Sequence, residues 1–242
     1  MGLANRSLAA EAGASGRLGL TVIRGGVATP VEVPDFSGPA PFPSLAKLRR
    51  DFLPRRSLSV EVNEYRIRNL PNVARRYRKV ATARMFDITT PIGALYLKVI
   101  RGDGSEVDLG LTSLGVVTTA GVTAIASHLN NGGATISGFK FHGFGSGTNA
   151  EASADTTLQT EFTTEYATDS TRPTGSQGAS TNTYTTIATF SPDANVAVTE
   201  HGIFTAASAG TLLDRSKFSV VNLVGSADSL QATYVLTLAA GG

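Results

Sequence analysis

Apolar and polar residues alternate through most of the second half of the chain. In Leu230-Gln-Ala-Thr-Tyr-Val-Leu-Thr-Leu238, Ala232, Tyr234 and Leu236 oppose Thr233, Val235 and Thr237. This is the two-residue period of a half-buried strand. Thr183–Phe190, Asn195–Phe204 and Ser216–Val224 read as strands too, as do Ala134–His142 and Leu158–Tyr166. Ala94–Ile100 is apolar and β-prone, and Glu106–Leu111 returns beside it after a turn marked by Asp103-Gly104. One stretch carries helical spacing instead. Val122, Ile125, Ala126 and Leu129 share a face of Thr118–Leu129, and Asn130-Asn131-Gly132-Gly133 stops it. Strands recurring at this interval predict a mainly β fold. Residues 89–242 are expected to form an antiparallel β-sandwich or jelly-roll-like body with one short helix.

Residues 1–88 read as a long extended N-terminal arm. Residues 1–24 are rich in Gly and Ala, without clear periodicity, and a short helix is expected around Ser7–Ala12. Pro30, Pro34, Pro39, Pro41, Pro43 and Pro54 keep residues 25–57 extended. Phe36, Phe42 and Phe52 are interleaved with them, more apolar than a disordered linker would be. That pattern suits a strap lying across another surface. Leu58, Val60 and Val62 alternate with Ser59 and Glu61, which reads as a strand, until Asn69-Leu-Pro71-Asn breaks the pattern.

Charge sharpens this division. Charged residues are 17% of the 242 and the net charge is only +2, but it is unevenly placed. Residues 1–88 hold 15 Lys and Arg against 7 Asp and Glu, a net +8, whereas residues 89–242 hold 6 against 12, a net −6. One copy's arm can therefore attract another copy's body. The basic positions Arg49, Arg50, Arg55, Arg56, Arg66, Arg68, Arg75, Arg76 and Arg78, with Phe36, Phe42 and Phe52, are the expected contacts to neighbouring protein subunits. Basic residues near Tyr65 and Tyr77 also suit nucleic-acid phosphates. No helix-turn-helix, zinc-finger or RNP pattern supports specific nucleic-acid reading, and the acidic body favours protein contact. The chain has no Cys, so neither a disulfide framework nor a thiolate metal site is available. No apolar run reaches the ~20 residues that span a bilayer, so no membrane partner is expected. The first residues make a poor signal peptide, and Arg6 departs from the myristoylation pattern.

Catalytic signals are weak. There is no G-x-S-x-G elbow, Walker A motif or dinucleotide fingerprint. His128 reads as a partly exposed packing residue. His142 and His201 lie in similar strand contexts and can meet across strands, but a metal site there lacks an evident third ligand. Asp103 and Glu106 are expected to be solvated in a turn. Gly143, Gly145 and Gly147 are expected to bend the chain through positive φ, and Asp155 to cap a turn. Glu200 is expected to bind Arg215 or a neighbouring backbone. Leu212-Leu213-Asp214-Arg215 reads as a segment leaving the core at a subunit edge. No enzymatic activity, cofactor or small-molecule ligand is expected.

The order of motifs from His142-Gly-Phe-Gly-Ser-Gly-Thr-Asn149 onward carries a resemblance. It continues through Asp155-Thr-Thr-Leu158-Gln-Thr-Glu161, Arg172-Pro-Thr-Gly175, Asn182-Thr-Tyr184 and Ala188-Thr-Phe190. Thr199-Glu-His-Gly-Ile-Phe204, Gly210-Thr-Leu-Leu-Asp-Arg-Ser216, Asp228-Ser-Leu230 and Thr233-Tyr234-Val-Leu-Thr-Leu238 complete it. This series resembles a family of small structural proteins of tailed bacteriophages, some of which serve as capsid cement or decoration subunits. The resemblance covers roughly residues 110–242 and implies a virion protein on the capsid surface, made in the host cytoplasm. The expected partners are the major capsid protein and copies of the chain itself, as a homotrimer. A tail, baseplate or head-fibre component is the alternative. A carbohydrate-binding module is disfavoured, because a chain without Trp offers few sugar-stacking platforms.

Overall fold

The computed structural model describes residues 8–12, 18–24, 27–31, 55, 57–85, 91–129 and 136–238. The chain divides into two compact units, Met1–Phe52 and Leu53–Gly242. In the first, β1 (Leu8–Ala12), β2 (Leu18–Arg24) and β3 (Val27–Val31) form an antiparallel meander. Leu8 pairs with Val22, and Leu20 with Val31. The short helix expected around Ser7–Ala12 is thus a strand. An isolated helix of so few residues is marginal, whereas pairing with β2 satisfies the same backbone groups.

The second unit is an antiparallel β-sandwich. Its five-stranded sheet runs β5 (Glu106–Leu114), β4 (Ile92–Ile100), β12 (Ser229–Thr237), β9 (Thr183–Phe190), β8 (Ser176–Ser180). Its four-stranded sheet runs β6 (Val116–Val117), β11 (Leu212–Leu223), β10 (Val196–Phe204), β7 (Phe141–Gly145). The alternation read in β12 is realised: Leu230, Ala232, Tyr234 and Leu236 are buried. Leu95, Leu97, Val99, Val198, Phe218 and Val221 join the main core. There Phe144 stacks on Phe190 at 4.8 Å, and Tyr166 meets Phe190 edge-on at 5.4 Å.

Three expected elements differ. Ala134–His142 is not one strand: a 3-10 turn at Ile136–Gly138 precedes β7. Leu158–Tyr166 is irregular, because its buried residues Leu158, Phe162 and Tyr166 recur every fourth position rather than every second. The expected strand at Leu58–Val62 runs into the helix α1, Val60–Met85. Over this longer window Val62, Tyr65, Asn69, Val73 and Val80 are buried, a helical stripe at three- and four-residue spacing. Ser59 caps it, its hydroxyl accepting from the Val62 amide at 3.3 Å. Pro71 lies inside the helix on its exposed side, where water can take the carbonyl that proline leaves unpaired.

Helix α1 closes one side of the sandwich. Buried Asn69 donates from Nδ2 to the Thr112 carbonyl of β5 and accepts from the Ser219 amide of β11 at 3.0 Å. Arg76 donates to the Leu114 and Gly115 carbonyls at 3.1 and 2.7 Å. Asn69→Ala strands the Thr112 and Ser219 groups, at about 1–3 kcal/mol for each buried group left unpaired. The expected loss of roughly 2–6 kcal/mol is checked by urea denaturation of the variant.

The expected helix Thr118–Leu129 is present as α2, Thr119–Leu129, but it packs through another face. Gly121 is buried against Leu213, and Ala124 and Ile125 reach the core. Val122 and Leu129 are 45% and 82% exposed.

Candidate functional site

The polar chemistry of the body gathers around β10, whose pairing with β11 is interrupted by a register shift between Val198 and Glu200. Such a bulge changes which face successive side chains take. Val196 and Val198 pack in the main core, then His201 and Ile203 take the inner face. Glu200 is thereby turned to the outer face, under the segment 146–160.

Glu200 is fully buried and saturated with donors. Oε1 accepts from the Gly147 and Thr160 amides at 3.0 and 2.7 Å. Oε2 accepts from the Gln159 amide at 3.0 Å and from Arg215 Nε and Nη2 at 2.9 and 2.7 Å. Arg215 also donates to Asp155 Oδ2 at 2.9 Å and to Asn149 Oδ1. Burial opposes the Arg215 charge, but hydrogen bonds to Asp155 and Glu200 outweigh it and raise its pKa further. Both readings of Glu200 hold, since it binds Arg215 and the neighbouring backbone together. Gly145 and Gly147 are needed for close approach rather than for positive φ. A Cβ on Gly145 would collide with the Thr160 carbonyl, and one on Gly147 with the Glu200 carboxylate.

A second fastener holds the segment 161–172. Arg172 Nη2 donates to Glu161 at 2.8 Å and Nη1 to the Ala206 carbonyl at 3.0 Å, while the guanidinium lies 3.5 Å from the Phe204 ring centre.

On the inner face, the two histidines do meet. His142 Nδ1 lies 3.0 Å from His201 Nε2, and His142 Nε2 lies 3.1 Å from Thr186 Oγ1 on the opposite sheet. Both rings are fully buried, and His201 Nδ1 has no hydrogen-bond partner. Burial pushes the His142 pKa down to about 3. Burial, and then the proximity of His142, hold His201 well below the usual histidine value. Gly175 closes the space beside Thr186 and His142 Nε2, where even a Cβ would collide. Among the described residues, no group of three or more His, Asp or Glu is placed to hold a metal ion.

Leu212-Leu213-Asp214-Arg215 does not leave the core: all four residues are buried at the start of β11. Asp214 Oδ1 accepts from Ser216 Oγ at 3.1 Å, and burial pushes its pKa up to about 7. In the sequence Asp214 follows the Leu-Leu pair as the start of an exit from the core, and nothing in the local pattern placed it inside.

The basic positions separate. Phe36, Phe42, Arg49, Arg50, Phe52 and Arg56 lie outside the described residues. Arg55 donates from its backbone amide to Asn63 Oδ1 at 2.9 Å, just before α1. Arg66, Arg68, Arg75, Arg76 and Arg78 lie on α1. Arg76 turns inward, and burial lowers its pKa. Arg75 reaches Glu151 at 3.2 Å, and Arg78 Nε donates to the Ala74 carbonyl at 3.4 Å. Arg68 is exposed at the mouth of a cavity of about 670 Å³ beneath α1. Arg101, which also lines it, pairs with Glu61 at 2.7 Å and with Asp228 at 2.8 Å. Asn69, the residue that ties α1 to both sheets, was missed in the sequence. The signal was its place on the apolar stripe with Tyr65 and Val73.

These features define a β-sandwich whose buried polar groups fasten loops and a helix to its sheets. The chain matches no family model, no curated protein and no solved structure.

Proposed function

We propose that the chain is a structural protein of a tailed-phage particle, a capsid cement subunit that holds the head shell by multivalent contacts. The observation that carries this reading is the two-sided character of α1. Its Asn69, Arg75 and Arg76 are spent on the body, while Arg68 and Lys79 are exposed on the outside. A fastened body thus presents a basic face suited to an acidic protein surface. The Pro- and Phe-rich segment 32–54 adds apolar anchors on the same chain. Linked anchors need only about 1–2 kcal/mol each, since attachment of one raises the local concentration of the next.

The test is co-sedimentation with empty heads and, separately, with DNA-free tails of the phage encoding the chain. The full chain is expected to pellet with heads. Removing residues 1–52, outside the compact unit that begins at Leu53, should abolish pelleting without changing the melting temperature of the body. Pelleting with tails alone would assign the chain to the tail or baseplate, and retention by neither would overturn the reading.

A further inference from the structure

Sheet edges are the places where a β protein meets other chains, and this body takes up several of its own edge groups. On β5, the Thr112 and Leu114 carbonyls are taken by Asn69 and Arg76. On β11, the Lys217 and Ser219 amides are taken by Glu151 and Asn69. On β7, the His142 amide donates to the Pro173 carbonyl, and the Phe144 carbonyl accepts from the Phe162 amide. β6 is two residues long and leads directly into α2. β8 differs from all of these. It has β9 on one side and, among the described residues, no strand on the other. All five of its residues, Ser-Gln-Gly-Ala-Ser, are exposed. It carries no charge, no proline and no bulge.

We propose that β8 is the docking edge for β8 of a second copy of this chain. The pairing is antiparallel across a two-fold axis at Gly178, with Ser176 of each copy facing Ser180 of the other. A two-fold axis brings identical surfaces together, so the edge it uses must not oppose like charges. Ser176–Ser180 meets that condition and the basic face of α1 does not. The outer sheet surface beside β8 stays uncharged along this row: Ser176 aligns with Ile187, then Thr233, then Tyr96 across three strands. Gln177 is held by Tyr184 at 2.8 Å and does not obstruct the edge. Joining two copies makes one continuous ten-stranded sheet. A five-residue edge buries less than the ~1,200 Å² of a standard interface, so the association is concentration-dependent. It does not rest on the virion reading, and is tested on the isolated chain.

The chain lacks cysteine, which makes cross-linking unambiguous. A Cβ at position 178 meets nothing within 4 Å, so substitutions there fit the monomer. Directly opposed residues of antiparallel strands lie about 4.5–5.5 Å apart at Cα, within disulfide reach. Gly178→Cys is expected to form a disulfide-linked dimer at least about tenfold faster than Ser208→Cys on an exposed loop. Gly178→Lys, and independently Ala179→Lys, should abolish the concentration-dependent dimer in sedimentation velocity while leaving the melting temperature unchanged. Equal cross-linking at 178 and 208, dimers that persist in folded Lys variants, or a chain monomeric at all concentrations would each overturn the proposal.

Discussion

Glu200→Ala is expected to destabilise the body by about 4 kcal/mol, within the ~3–5 kcal/mol that breaking a buried ion pair from one side costs. For a unit of this size that lowers the melting temperature by roughly 8–16 °C, read by circular dichroism. The magnitude follows from what the carboxylate leaves behind. Arg215 stays buried with part of its charge uncompensated, and the amides of Gly147, Gln159 and Thr160 lose their acceptor. Arg215→Met should cost less, roughly 2–3 kcal/mol, because Glu200 keeps three backbone donors that still stabilise its charge. The order of the two losses is therefore diagnostic. If Arg215→Met proved the more damaging, the guanidinium rather than the carboxylate would be the hub that holds 146–160 down.

What could be read in the sequence was set by how local each cause is. The β12 alternation and the Asp103-Gly104 hairpin are nearest-neighbour patterns, and both are realised. The sandwich class followed from several such strands. Helix α1 was misread because its start, Leu58–Val62, alternates like a strand. Two of its inward positions, Asn69 and Arg76, are polar, so a reading of apolar residues alone understates the stripe. The Glu200–Arg215 pair was legible, because a carboxylate and a guanidinium in neighbouring apolar strands need each other. Asp214 was not. Its burial rests on close packing around Gly93 and Gly115, residues about a hundred positions away. Gly145 and Gly147 were recognised as special for the wrong reason: they make room for Glu200 and the Thr160 carbonyl rather than for unusual backbone angles.

Acid should unfold the body along a slope set by three buried groups. Histidines held neutral bind protons only on unfolding. Below the ordinary histidine pKa of ~6.5, the unfolded chain therefore gains two protons that the folded one refuses. Asp214 works in the opposite direction. Its folded pKa is about 7, so between roughly pH 4 and 6.5 the folded state keeps a proton that the unfolded state releases. The difference is one proton in favour of the unfolded state. Stability should then fall with acidification, the slope reaching about 1.4 kcal/mol per pH unit below about pH 5.5, where the unfolded histidines are fully charged. Asp103 and Asp228, whose pKa values are lowered, begin to contribute only as pH falls below about 5. Asp214→Asn removes the opposing proton and should double the slope to about 2.7 kcal/mol per pH unit. His201→Gln leaves one histidine against Asp214 and should flatten it. Urea titrations at pH 4.5, 5.5 and 6.5 measure all three slopes. A wild-type stability that stayed level or rose on acidification would mean that the histidine pair accepts a proton inside the folded sandwich, contrary to its enclosure by Phe144, Thr186 and Gly175.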